Sequence, residues 1–214
     1  MAGRKAEVVA PTSQGRGDRP LRTFRAAARY WLPKAEVSVD HFHLVQLAND
    51  MVTAVRRRVS WDRYGRRGRK EDQAWAHRLL LLRGYDSLYQ RGRDKLEHIL
   101  LSDDPTDEIG AAWGVKEQLR ILLACTTLAA ARQAKTRFDT YVTWADLPET
   151  TRLQKTINVW WKEIEVFIAT RVTNARTEAA NVTIKNIKRT GRGYRSTINY
   201  RSRVMLYNAT RSAA

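Results

Sequence analysis

Apolar positions recur along most of this chain at the three-to-four spacing of helices, and only one short stretch alternates instead. Ala35, Val37 and Val39 alternate with Glu36, Ser38 and Asp40, which predicts a brief strand over 36–40 ending in a carboxylate. From Leu44 the period changes. Leu44, Ala48, Met51, Val52, Val55 and Val59 share one stripe and predict a helix over 44–59, with Arg56, Arg57 and Arg58 in its last turn. Upstream, 22–32 reads as a short helix stopped by Pro33, and 1–20, with three Gly and two Pro, as a loop or disordered leader. Residues 60–70 read as a basic loop punctuated by Gly65 and Gly68.

Helices then follow closely, over about 71–84, 93–101, 107–134 and 137–144, and another begins at Pro148. In the last of these Ile157, Trp160, Trp161, Ile164, Phe167 and Ile168 make a broad apolar face, which reads as core. A helix over 177–189 is broken by Gly191 and Gly193, and a basic helix over about 197–207 completes the pattern. At about 100° per residue, Glu178, Asn181, Lys185 and Lys188 share one side of the 177–189 helix, opposite Ala180, Ile184 and Ile187.

Composition narrows the class. Of 214 residues, 43% are apolar and seven are Trp, enough to bury a core. The single cysteine, Cys125, excludes an internal disulfide framework and a multi-cysteine zinc site, and fits a reducing cytoplasm. The apolar run 79–82 is far short of the roughly 20 residues a membrane span needs.

Charge changes the picture more. Lys and Arg exceed Asp and Glu by 39 to 22, a formal net charge of +17. Three short segments hold that excess: 1–34 is net +6, 56–70 is net +7 and 176–203 is net +7, whereas 71–175 is net −1. Two of the clusters interleave Arg with aromatics, Trp61 and Tyr64 in one and Tyr194 and Tyr200 in the other. A solubilising face or a protein-binding surface would also be basic, but Arg forks match phosphate geometry and their binding releases counterions, which favours a nucleic acid. The candidate contacts are Arg56, Arg57, Arg58, Arg66, Arg67, Arg69 and Lys70 in the first cluster, and Asn181, Lys185, Lys188, Arg189 and Arg195 in the second.

Two acids stand out against that charge. Asp40 closes the strand, where it serves either as a helix N-cap or as a site carboxylate, and Glu178 lies within the 176–203 cluster. Acids in a phosphate-binding surface repel the ligand unless a divalent metal sits between them. His41 and His43 flank Phe42 beside Asp40 and read either as packed strand-end histidines or as a zinc pair.

At these residues the chain resembles the DDE transposases of bacterial insertion sequences, of the ISL-three type. VDHFHLVQLAN (39–49), VRRRV (55–59) and GRRGRK (65–70) are similar to the family's second-aspartate region. VTNARTEAANVTIK (172–185), then Arg189 and GYR (193–195), are similar to its glutamate helix. The likeness runs from about Phe24 to Leu206. It implies a mainly α fold with a short remnant β-sheet: a ribonuclease-H-like core, truncated, with an all-helical insertion. It divides the chain into a basic leader (1–20), a first part of the core with the second Asp (21–60), the helical insertion (61–172), and the glutamate helix with a C-terminal basic helix (173–208). Asp40 and Glu178 would be catalytic metal ligands, for Mg2+ or Mn2+, and Lys185 would touch transposon DNA.

The sequence also departs from that pattern. The family's first catalytic Asp has no counterpart; Asp18 is the nearest acid and lies in GRGDRP, a poor strand interior. Ala179 replaces the usual Gly, and Ser196 stands where Asn is common. The chain thus reads as the C-terminal portion of a transposase, binding double-stranded DNA non-specifically in the bacterial cytoplasm at the nucleoid, and inactive alone. Its other partners would be a second copy or a full-length transposase, with no membrane. The alternatives are a non-catalytic basic helical nucleic-acid-binding protein and an inhibitor that associates with full-length transposase.

Overall fold

A corner formed by two short strands and one long helix carries Asp40. The computed structural model describes residues 7–9, 27, 30, 31, 36–173 and 175–212, with backbone alone at 7–9, 175–178, 208, 211 and 212. Strand β1 (Glu7–Val9) pairs in parallel with β2 (Glu36–Ser38), Val8 opposite Val37. β2 falls within the expected strand. β1 falls within the segment read as a loop, and its three-residue EVV run has no alternation long enough to announce it. Most of the expected 22–32 helix lies outside the described residues; Ala27, Tyr30 and Trp31 within it are helical.

Helix α1 (His41–Tyr64) extends the expected 44–59 helix at both ends. Asp40 caps its start, accepting the Phe42 N–H at 3.1 Å, so helix begins directly after the strand. At the other end Gly65, at φ 59°, takes the left-handed conformation and donates its N–H to Trp61 O at 2.8 Å. The basic loop therefore starts at Gly65, and 60–64 are helical rather than loop.

Two expected helices prove to be pairs. The 71–84 segment divides at His77 into α2 (Gln73–Ala76) and α3 (Arg78–Leu82). α4 (Gln90–Asp103) follows. The 107–134 segment divides into α5 (Glu108–Ala124) and α6 (Leu128–Ala145), and the short helix expected over 137–144 is the end of α6. The break has a local cause: the Thr127 hydroxyl accepts the Ala130 N–H at 3.2 Å, using the Thr as a cap instead of a helix interior. Pro148 opens α7 (Pro148–Val159), as its fixed φ and missing N–H favour at the first helical turn. α8 (Trp161–Thr170) follows across Trp160, which is buried as core.

The core runs from α1 through α8. α5 packs against both α1 and α6, and the small buried residues Ala48, Ala112, Ala131 and Ala134 sit among Val52, Val115, Leu119 and Phe138. α8 lies along β2: Val39 N–H reaches Glu163 O at 3.4 Å, and the Ser38 hydroxyl donates to Val172 O at 3.2 Å. Arg171, left-handed at the end of α8, donates to the carbonyls of Leu123 and Ala124 at 3.0 and 3.1 Å, and to that of Cys125. It thereby satisfies the exposed C-terminal carbonyls of α5.

Met1–Val172 form one unit and Thr173–Ala214 a second. The second holds α9 (Ala175–Thr190) and α10 (Thr197–Ser212), which contain the two basic helices expected there. Their turn uses Arg192 at φ 49° and Gly193 at φ 92°, and the Tyr194 hydroxyl donates to Ile187 O at 3.4 Å. Mainly α architecture is what the helical periodicity requires.

Candidate nucleic-acid interface and acidic corner

The GRRGRK loop is held in place by two acids that the sequence does not advertise. Asp72, buried, receives Arg66 through both guanidinium nitrogens at 2.8 and 3.2 Å, and the Arg69 N–H at 2.6 Å. The Arg66 bond, then the Arg69 N–H, hold the Asp72 carboxyl below the usual carboxylate range. Asp103, at the end of α4, accepts the Ala74 N–H at 2.8 Å and the Tyr64 hydroxyl at 3.4 Å, and pairs with Arg63 at 3.4 Å. Gly68 lies so close to Trp75 that a Cβ there would sit 2.5 Å from the Trp75 side chain. The guanidinium of Arg78 covers the Trp75 ring at 4.7 Å.

These contacts sort the basic residues of 56–70 into two kinds. Arg58 is bound inward, to Glu149 at 2.9 Å, Glu108 at 2.6 Å and Asp62 at 3.7 Å. Arg66 is bound to Asp72. Arg57, Arg67, Arg69 and Lys70 are exposed, and their side chains have no acidic partner among the described residues. Arg56 is 5% exposed and belongs to neither kind: it is nearly buried, yet no acid pairs with it among the described residues. Sequence reasoning grouped all of these as one patch. It missed Asp72, Asp103, Trp75 and Arg78; the one available signal was the acid pair Glu71-Asp72 ending the basic run.

In the second unit, Asn181, Lys185, Lys188 and Arg189 are exposed on α9, and Arg195 is exposed after the turn. The helical backbone of α9 keeps 178, 181, 185 and 188 on one face. The side chain of Glu178 lies outside the described residues.

Asp40 is 2% exposed. Its Oδ1 accepts the capping N–H of Phe42, and two imidazole nitrogens lie just beyond hydrogen-bond range, His41 Nδ1 at 3.9 Å and His43 Nε2 at 3.6 Å. Both nitrogens are buried without a hydrogen-bond partner. The His41 ring stacks on Phe167 at 4.7 Å and 15°. Burial pushes His41 below the ordinary histidine range, which Asp40 opposes and Arg171 reinforces.

A buried carboxylate at a strand end fits a hard divalent cation in donor type. Among the described residues, however, no group of three or more His, Cys, Asp or Glu side chains is arranged to hold a metal ion. No helix among the described residues is long and apolar enough to cross a membrane.

Searches among curated proteins and solved structures return no match. A family model for ISL-three-type DDE elements, described as a transposase, matches residues 20–204, which spans β2, Asp40, the GRRGRK loop and α9. Such enzymes generally use divalent metal ions and act on DNA. The chain therefore belongs to the ISL-three-type family of DDE transposases.

Proposed function

We propose that this chain binds duplex DNA through two basic surfaces and contributes two acids of a ribonuclease-H-like metal centre without completing that centre. The first surface is the 65–70 loop with Arg57, in which Arg67, Arg69 and Lys70 grip phosphates while Arg58 and Arg66 hold the scaffold behind them. The second is the α9 face of Asn181, Lys185 and Lys188, with Arg189 and Arg195. Contacts of this kind grip the backbone and carry no base readout. In this reading residues 21–60 and 173–208 are parts of the core and 61–172 are its helical insertion.

Asp40 and Glu178 would hold Mg2+ or Mn2+, which polarises a phosphodiester and lowers the pKa of an attacking hydroxyl. Asp40 is suited to this by its place after β2, where the capping N–H fixes one carboxylate oxygen. A ligand set lacking the first Asp leaves the chain unable to cut and join DNA by itself. Transposon ends, with a second copy or a full-length transposase, are then its partners.

The observation that carries the reading is the loop itself: exposed Arg67, Arg69 and Lys70, without an acidic partner among the described residues, displayed on a backbone pinned by the Arg66–Asp72 bond. Fluorescence anisotropy with labelled duplex over a salt series tests it. Affinity should fall steeply with salt and hardly depend on sequence. Incubation with Mg2+ or Mn2+ should give no nicking. Cleavage that Glu178→Gln abolishes would overturn the inactive part of the proposal, and absence of binding would overturn all of it. The non-catalytic reading is favoured by one contact, the cap from Asp40 to Phe42 N–H, which a purely structural Asp would also make.

A further inference from the structure

Neighbouring contacts fix Asp40 on both sides. The Val39 N–H before it reaches Glu163 O on α8 at 3.4 Å, and the His41 ring after it stacks on Phe167 of the same helix at 4.7 Å. Asp40 itself is buried, and its Oδ1 already accepts the Phe42 N–H at 3.1 Å. One bound oxygen still leaves the carboxylate able to swing about its Cβ–Cγ bond, a broad torsion without sharp staggered wells. Whatever holds Oδ2 therefore decides where the remaining lone pairs point.

His43 stands at that oxygen. Three residues after the cap, it brings Nε2 to 3.6 Å from Oδ2, whereas His41 Nδ1 lies 3.9 Å from Oδ1, the oxygen that already has a donor. His43 Nε2 is buried and has no hydrogen-bond partner, so no other acceptor competes for it among the described residues. An imidazole lone pair turned towards a carboxylate would repel it, which assigns the ring proton of neutral His43 to Nε2. The separation is slightly longer than a formed bond, as donor contacts at unliganded sites commonly are. A zinc pair would need both imidazoles to face one point, whereas these two face different oxygens of one carboxylate.

We infer that His43 is a positioning residue for Asp40: its Nε2–H holds Oδ2 while the Phe42 N–H holds Oδ1, which fixes the direction of the lone pairs offered to a divalent cation. The inference rests on the metal-ligand reading of Asp40 above and deepens it by naming the group that orients the ligand. Each oxygen keeps a further lone pair, so accepting both N–H groups is compatible with coordination. Because the carboxylate is closed off from water, solvent does not replace a donor that is removed.

Two measurements on the full chain test it. Proton–nitrogen NMR of the metal-free protein, at a pH above the ordinary histidine value, reads which ring nitrogen carries the proton. The His43 proton should sit on Nε2 and exchange with water at least about tenfold more slowly than that of exposed His98. Mn2+ affinity, read from the electron paramagnetic resonance signal of the free ion, should fall about 10–100-fold in His43→Ala. His43→Gln, whose amide places a donor near the Nε2 position, should recover most of that loss, and the control His98→Ala should bind like the parent. Both His43 variants should melt within about 2 °C of the parent, because the cap from Phe42 is untouched. A His43 proton found on Nδ1, or His43→Ala binding Mn2+ as tightly as the parent, would overturn the inference and leave Asp40 as a ligand. A loss that His43→Gln leaves in place would overturn it too, since bulk and not a donor would then matter. If the parent takes up no Mn2+, or Asp40→Asn binds it unchanged, the metal reading falls and the positioning role falls with it.

Discussion

Arg58 ties three helices together, and its removal offers the sharpest check on how the basic segment is built. Its Nε donates to Glu149 Oε1 at 2.9 Å and its Nη2 to Glu149 Oε2 at 3.4 Å, while Nη2 also lies 2.6 Å from Glu108 Oε2. Glu108 and Glu149 stand in the first turns of α5 and α7, so one guanidinium on α1 anchors two helix starts. The Glu149 side chain is 11% exposed and that of Glu108 26%. Arg58→Met keeps the stem and removes both pairings. A charge-assisted bond contributes about 1.5–3 kcal/mol, and the one-third exposure of Arg58 discounts each by solvent screening, which leaves a loss of roughly 2–4 kcal/mol. For a domain of this size that lowers the melting temperature by roughly 4–16 °C.

The pH dependence follows from Glu149, held below the usual carboxylate range first by its bond to Arg58. A depressed acid contributes its stability above its unfolded value and loses it as pH falls through the folded one. The gap between parent and Arg58→Met should therefore be full at pH 7 and narrow once the pH drops below the ordinary Glu value of 4.5. Calorimetric scans of both proteins from pH 7 downward measure it. A melting temperature for Arg58→Met within about 2 °C of the parent at pH 7 would refute the strut.

Other substitutions separate shape from charge. Asp40→Asn should keep the cap on α1 and melt close to the parent, whereas Asp40→Ala should lose about 1 kcal/mol of stability; equal losses in thermal melts would show that the cap is not what Asp40 supplies. Asp104 is buried and raised, chiefly by desolvation, while its Oδ2 accepts the Gly110 N–H at 2.7 Å. A raised acid favours folding only where it is protonated, so Asp104→Asn should raise the melting temperature by a few degrees at pH 7, and the advantage should vanish as the pH falls below 3.8. A lower melting temperature at pH 7 would sink that account. Gly68→Val places a branched side chain where even a Cβ meets Trp75 at 2.5 Å, so the loop must shift; quenching of Trp fluorescence by acrylamide should increase and duplex affinity should drop several-fold. Unchanged accessibility and affinity would mean the loop tolerates the bulk.

What the sequence revealed follows range of interaction. The strand at β2, the stripe of α1, the Pro148 start and the basic helices of the second unit depend on neighbours within a few residues, and periodicity reports such patterns directly. Asp40 was open to two readings, and the cap is one of them made visible. The misses are non-local or subtle. β1 gains its identity only by pairing with β2 across nearly thirty residues. The break between α5 and α6 depends on Thr127 acting as a cap and on Arg171, 48 residues beyond Leu123, receiving the last carbonyls. Charge counts see Arg56, Arg57 and Arg58 as three equal cations, although one is buried, one is exposed and one is bound to acids contributed by distant helices.

The carboxylate of Asp72 stands beside the densest run of positive charge in the chain and binds Arg66 and the Arg69 amide before any ligand is present. A loop left to itself would freeze only on meeting its target and would give up freedom at that moment. Here the freezing accompanies folding, so an incoming polyanion meets a rigid comb of cations, and complex formation should proceed with a smaller entropic penalty than a floppy arginine-rich tail would incur.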